Sequence, residues 1–283
     1  MRGNIKHKNM KILQYIIMSI IAVIMIFPII WIISSSLKTM LEISQFPPKV
    51  FPKSPQWENY KVILSDPQLY VYLKNTLLLI VWNTVGTVFS SALVAYPLAR
   101  MNFKGKNLVF GIIIATMMIP TTTLIIPQYL MFSKFGWLDT LLPMIVPSFF
   151  AYPYNVFLFR QFFRTIPESI DEAAYIDGCS KFTIFTKMLV PLSKPIFATI
   201  GVLSAIFWWN ELLQPLVYIN SDAVKTLTIA TMTRYKFFTG NAQLVTWDKL
   251  MVVTTLMIIP PMILYLCASK QLTEGIKTSG MKG

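Results

Sequence analysis

The densest group of chemically active side chains in this chain is acidic: Glu168, Asp171, Glu172 and Asp177 fall within one short stretch. Clustered carboxylates can do acid–base work or hold a cation, but their neighbours point to a different use. Ile170, Ala173, Ala174 and Gly178 recur among them at helical spacing. This makes a narrow stripe of mostly small side chains, which another surface can approach closely. Pro167 suits the first position of such a helix, where a missing amide hydrogen costs nothing. Gly178 can take the left-handed conformation that ends it. Phe182, Phe185 and Leu189 then give an apolar face, and Pro191 and Pro195 break the run. The chemistry offered is contact with a partner, although an ordinary interfacial amphipathic helix has the same spacing.

Other reaction chemistries lack their residues. His7 is the single histidine and lies in a basic N-terminal stretch. Cys179 and Cys267 are too far apart in sequence for a disulfide framework or a metal-ligand pair. The sequence has no Gly-x-x-x-x-Gly-Lys-Ser/Thr phosphate loop, no His-Glu-x-x-His and no Gly-x-Ser-x-Gly. We therefore expect no catalytic residue, no metal site and no ATP hydrolysis by this chain alone.

Composition places those residues in a membrane. Of 283 residues, 55% are apolar and only 13% charged, with mean hydropathy +0.59, whereas a soluble domain carries roughly a quarter charged residues. The net charge of +13 does not indicate nucleic acid, because the Lys and Arg lie in short clusters between apolar runs rather than on one water-facing stripe. Six stretches approach the roughly 20 apolar residues that span a bilayer. They are Ile12–Ser34, Thr76–Ala99, Leu108–Ile126, Leu141–Phe159, Ile196–Ile219 and Leu250–Ala268, with 1–11 as an N-terminal segment, 160–195 as a loop and 269–283 as a tail. The first run is too long for an ordinary signal peptide and lacks a clear cleavage site.

With both termini cytoplasmic, the inside segments hold fifteen of the 25 Lys and Arg, including the tight cluster Arg100, Lys104 and Lys106, as the positive-inside rule requires. The 160–195 loop falls on the same side. Outside, the proline-rich segment Ser35 to Asn75 should be extended and helix-free. In the second outer segment, Arg234, Tyr235, Phe237 and Phe238 are available for a delivering protein or a ligand.

Polar residues inside spans are costly and usually face a cavity or a partner. Asn210 and Glu211, flanked by Trp209 and Gln214, are the candidates for a translocation path or a subunit interface. Equally, Glu211 could sit near the outer end of its span and snorkel to water. Trp82, Trp137, Trp208, Trp209 and Trp247 could stack on sugar rings or anchor span ends at the membrane interface. Pro28, Pro120, Pro147, Pro153, Pro215, Pro260 and Pro261 are expected to kink spans.

Glu172-Ala173-Ala174, Asp177, Gly178 and Pro191 resemble the EAA loop of carbohydrate-type ATP-binding-cassette importer permeases, with Met188 and Val190 as conservative departures. Trp209-Asn210-Glu211 followed by Pro215 resembles a segment of that family's fifth span. Ala95-Tyr96-Pro97-Leu98-Ala99-Arg100 resembles the end of its second span, and the Gly-rich tail from Leu272 resembles its C-terminus. Within the family, the chain is similar to the second permease subunit of maltose transporters.

The resemblance implies an all-α integral membrane protein with six transmembrane helices, the type I importer permease fold, in a bacterial cytoplasmic membrane. It implies a sister permease subunit, an ATPase dimer that holds the ATP and Mg, an extracytoplasmic solute-binding protein, and a di- or oligosaccharide as cargo. It also implies that Glu172, Ala173, Ala174, Asp177, Gly178, Phe185 and Pro191 couple to the ATPase. The same architecture could import a polyol phosphate or a short peptide, and a non-transporting scaffold or a membrane enzyme remains a separate class of reading.

Overall fold

The computed structural model describes residues 2–238 and 245–280. The side chains of His7 and of the tail from Lys270 onward lie outside the described residues, as do residues 239–244 of the second outer segment. The regular secondary structure of the described residues is all helical, without a strand among them. Its principal helices are α1 (Arg2–Ser36), α2 (Pro67–Arg100), α3 (Lys106–Thr116), α4 (Ile125–Lys134), α5 (Pro153–Phe163), α6 (Ser169–Ile176), α7 (Lys194–Asn210) and α8 (Trp247–Gly280).

Four segments are long and apolar enough to cross a bilayer as single spans: Met10–Ser36 within α1, all of α2, Leu142–Phe163 and Trp247–Ser269 within α8. Two bent pairs bring the number to six when each pair counts as one span. Lys106–Thr116 meets Thr121–Lys134 at 83°, and Lys181–Leu192 meets Lys194–Asn210 at 77°. The third expected span, Leu108–Ile126, is therefore interrupted. Pro120 has no amide hydrogen and biases the residue before it away from the helical region. The fifth, Ile196–Ile219, ends early: α7 stops at Asn210, and a short helix, Leu213–Tyr218, follows the break. Beyond the expected sixth span, α8 continues through Ala268 to Gly280.

The packing separates into two compact units. One comprises the residues up to Pro67 together with Thr231–Ile259, and the other comprises Gln68–Ala230 with the residues from Pro260 onward.

In the first unit, polar groups organise the outer segment, and the expectation of a helix-free stretch there is corrected. Met40–Ile43 and Glu58–Leu64 are helical, the former closed by a capping box between Thr39 and Glu42. Asn59 donates from Nδ2 to the carbonyls of Ser36 and Lys38 at 3.1 and 3.0 Å and accepts from Lys249 Nζ at 2.6 Å. Lys38 is buried and donates to the Lys49 carbonyl at 2.6 Å. Arg234 makes a two-pronged contact with Asp66, at 2.9 and 3.0 Å, and the buried Tyr235 hydroxyl donates to the same carboxylate at 3.2 Å. Arg234 and Tyr235 thus serve internal structure rather than standing free for a visitor. Asp66→Ala leaves the guanidinium without its fork partner, and because Arg234 is partly exposed the expected loss is about 2 kcal/mol. Thermal unfolding of the detergent-solubilised chain measures it.

The second unit holds the main core. Val88, Ala92, Ala95 and Tyr96 of α2 pack with Val156, Phe159 and Phe163 of α5 and with Ile196 and Ile200 of α7. A second cluster joins Leu79 to Phe132, Met144, Tyr218 and Ile229. Small residues on α2 permit close approach, the usual basis of helix association where lipid removes the hydrophobic drive. Gly86 is the extreme case: a Cβ placed there would lie 2.5 Å from Ser148 Oγ and 2.9 Å from the Phe149 ring. Just beyond, the chain breaks at Ala151, which has a φ of 62°. Ser90 and Ser91 of α2 accept hydrogen bonds from the Ala151 and Tyr152 amides, each at 3.0 Å. Backbone freed within a span is satisfied here by hydroxyls of the neighbouring helix.

Candidate coupling site

The acidic stretch forms helix α6, two residues later than Pro167 suggests: Pro167 accepts from the Ile170 amide in a preceding turn. The helix ends at Gly178, whose φ of 77° is the left-handed value. The Gly178 amide bonds to the Tyr175 carbonyl and the Cys179 amide to the Ala174 carbonyl, at 3.1 and 3.0 Å. Nothing lies within 4 Å of a Cβ built at Gly178, so a side chain there would meet only what docks from outside.

Glu172, Ala173, Asp177 and Gly178 are exposed. Tyr175 and Ile176 join them at 70% and 85% exposure, two large side chains that a search for small residues passes over. Two expected contact residues lie elsewhere. Ala174 is 1% exposed and Phe185 5%, so each packs within the chain and neither can touch a docked subunit. Phe185 is an anchor: its ring lies 5.0 Å from Tyr96 and 6.5 Å, edge-on, from Phe163. It opens a π turn, Phe185–Leu189, a rare geometry frequent at functional sites. Pro191 is exposed within the short helix Val190–Leu192, before the bend into α7.

The end of α2 reaches α6 directly. Arg100 donates from Nη2 to the Ile166 carbonyl at 2.7 Å, and its Nε lies 3.4 Å from Asp171 Oδ2. Burial pushes the Asp171 carboxyl above the usual range; the Arg100 charge opposes this and nearby Glu168 adds to it. Four residues before Arg100 on the same helix, Tyr96 donates to the Lys181 carbonyl at 3.0 Å. Arg160 donates to the Leu98 carbonyl at 3.0 Å and Lys106 to that of Met101 at 2.8 Å. Cations thus cover the carbonyl end of α2, where the helix dipole favours positive charge. Lys106, read in sequence as part of a topology signal, also caps the helix.

The second candidate group sits at the break after α7. Asn210 donates to the Ile206 carbonyl of its own helix at 2.8 Å, and Glu211 Oε1 accepts from the Gln214 amide at 2.9 Å, capping the next short helix. Trp209 is buried, and its carbonyl accepts from Thr228 at 3.0 Å. The in-span carboxylate therefore stabilises a helix interruption. Among the described residues, no group of three or more His, Cys, Asp or Glu side chains comes together as a metal cage.

The chain is similar to known proteins over nearly its whole length. The chain is 31% identical to the sulfoquinovosyl glycerol transport system permease protein SmoH of Agrobacterium fabrum, over 96% of this chain and 94% of that one. It is 29% identical to the arabinooligosaccharides transport system permease protein AraQ of Bacillus subtilis, covering 93% and 92% of the two chains. Its fold matches a chain in the crystal structure of a bacterial ABC transporter involved in the import of the acidic polysaccharide alginate, with a TM-score of 0.81, 25% identity, and coverage of 93% and 96%. Residues 87–277, which include α6, the clasp at Arg100 and the break at Glu211, match the family described as binding-protein-dependent transport system inner membrane component. The chain belongs to that family: it is a multi-pass inner-membrane permease of a binding-protein-dependent ABC importer, a transport component and not an enzyme.

Proposed function

We propose that this permease imports an oligosaccharide, working with a sister permease, a pair of ATPase subunits and an extracytoplasmic solute-binding protein. The observation that carries the reading is the outward face of α6, where Glu172, Ala173, Asp177 and the open Gly178 stand exposed on a helix tied to the longest span of its unit. A docked ATPase would press on that face. Closure of the ATPases on ATP would then move α6 and turn the spans from inward-open to outward-open. Both termini would lie in the cytoplasm, as the distribution of Lys and Arg favours.

Asn210, Glu211 and Gln214 would line the translocation path or meet the sister permease, with the buried Trp209 packed behind them, because interrupted helices at membrane depth occur where they face protein or a water-filled cavity. The names of the relatives favour a carbohydrate cargo. The test is uptake by proteoliposomes holding the full importer and its binding protein, offered labelled oligosaccharides, polyol phosphates and short peptides. ATP-dependent uptake of an oligosaccharide alone is expected. Uptake of a polyol phosphate or a peptide in its place overturns the carbohydrate assignment.

A further inference from the structure

We propose that α2 is the rod that carries thrust from the docking helix to the broken span, and that Arg100 and Tyr96 are the positioning residues that fasten it. The proposal rests on the coupling reading of α6 given above. Ile166 lies before α6 and Lys181 after it, and each gives its carbonyl to α2, one to Arg100 at 2.7 Å and the other to Tyr96 at 3.0 Å. Between these two points Asp171 turns its carboxylate to the Arg100 guanidinium, whose side chain is only 3% exposed. The docking segment is thus held at both ends and in the middle by one turn of one helix.

Farther along the same helix, Gly86 packs against Ser148 and Phe149, and the Ser90 and Ser91 hydroxyls accept the Ala151 and Tyr152 amides. From Ser90 to Arg100 a helix rises about 15 Å. A continuous helix therefore joins the docking surface to the interruption in Leu142–Phe163, and all of these residues lie within one compact unit. The ion pair is also incompletely made: Arg100 Nε and Asp171 Oδ1 are buried without a hydrogen bond. A buried group left so is one whose partner geometry can differ in another state of the cycle.

The test uses the whole importer in proteoliposomes and reads solute moved per ATP hydrolysed, together with recovery of the ATPase subunits on the purified permease. Asp171→Asn with Tyr96→Phe should retain the ATPase subunits yet lower solute moved per ATP on the order of tenfold, the scale of an ordinary coupling free energy. Asp171→Glu, which keeps the charge, should recover much of the loss. Tyr96→Phe removes a single hydroxyl; should the double variant fail to insert, a fall in solute per ATP in this variant alone supports the proposal and an unchanged ratio overturns it. An unchanged ratio in the double variant also overturns it, as does a loss that only tracks failure to retain the ATPases. Failure of the coupling reading itself would look different: Gly178→Asp would then transport normally.

Discussion

Gly178→Asp is expected to abolish uptake by the assembled importer while leaving the permease folded and inserted. The residue sits at a φ of 77° with open space around its Cα, so an added side chain clashes with nothing in its own chain. The cost to folding is the left-handed backbone alone, about 1–2 kcal/mol for a residue with a Cβ. Docking should lose much more, because the new carboxylate would project into the proposed contact face and add a negative charge beside Asp177 and Glu172. Gly178→Ala is the control. It carries the same backbone strain without the charge, and it should keep most of the uptake and nearly all of the ATPase recovery. Measuring uptake and co-purified ATPase for both variants separates the two costs. Normal transport by the Asp variant would remove α6 as the docking element.

The second large effect is expected at Gly86. Valine there places its Cβ 2.5 Å from Ser148 Oγ and 2.9 Å from the Phe149 ring and adds two methyl groups beyond. Overpacking of this kind typically costs about 1–3 kcal/mol, occasionally more. Here it also pushes away the segment whose amides Ser90 and Ser91 hold. Little folded permease should be recovered from membranes, and uptake should fall with it. Gly86→Ala should be milder, since the Ser148 hydroxyl can rotate away, and adding Ser148→Ala should restore part of the loss. Wild-type recovery of the Val variant would show that the close approach between α2 and the 146–152 segment does not constrain the fold.

The two residues differ in how far the sequence announces them. Gly178 follows an acidic helical stretch at the position where a helix must end, so its conformation is readable locally, and the structure bears that conformation out. Gly86 stands in an apolar span like many others. Nothing within several residues of it tells that Ser148 will press against its Cα, because that contact joins positions 62 apart in sequence.

The same division runs through the site. Glu172, Ala173 and Asp177 are exposed as the acidic, small-residue pattern suggests, but Ala174, on the same stripe, is turned inward. Helical spacing fixes which residues share a face to within an arc, and packing against the chain's own core decides which edge of that arc is covered. Phe185 shows this from the apolar side: its type says that it will be buried, and only the fold says that Tyr96 and Phe163 bury it. Arg234 and Tyr235 look like ligand-binding residues in an outer segment until Asp66, remote in sequence, takes both.

What the sequence determined by itself was the medium and the side chains that the acidic loop can offer to a contact. Apolar length requires helices that cross a bilayer, because unpaired backbone groups are too costly there; the acidic loop offers a small-residue stripe for contact, a spacing it shares with an ordinary interfacial helix. What only the tertiary structure decided was where those spans break and what holds α6. In the apolar runs Leu108–Ile126 and Ile196–Ile219, Pro120 and Pro215 announce a kink, but whether the helix bends or stops there depends on packing that hydropathy does not register. The Arg100–Asp171 pair is invisible in sequence because its members become neighbours only after α2 and α6 have packed.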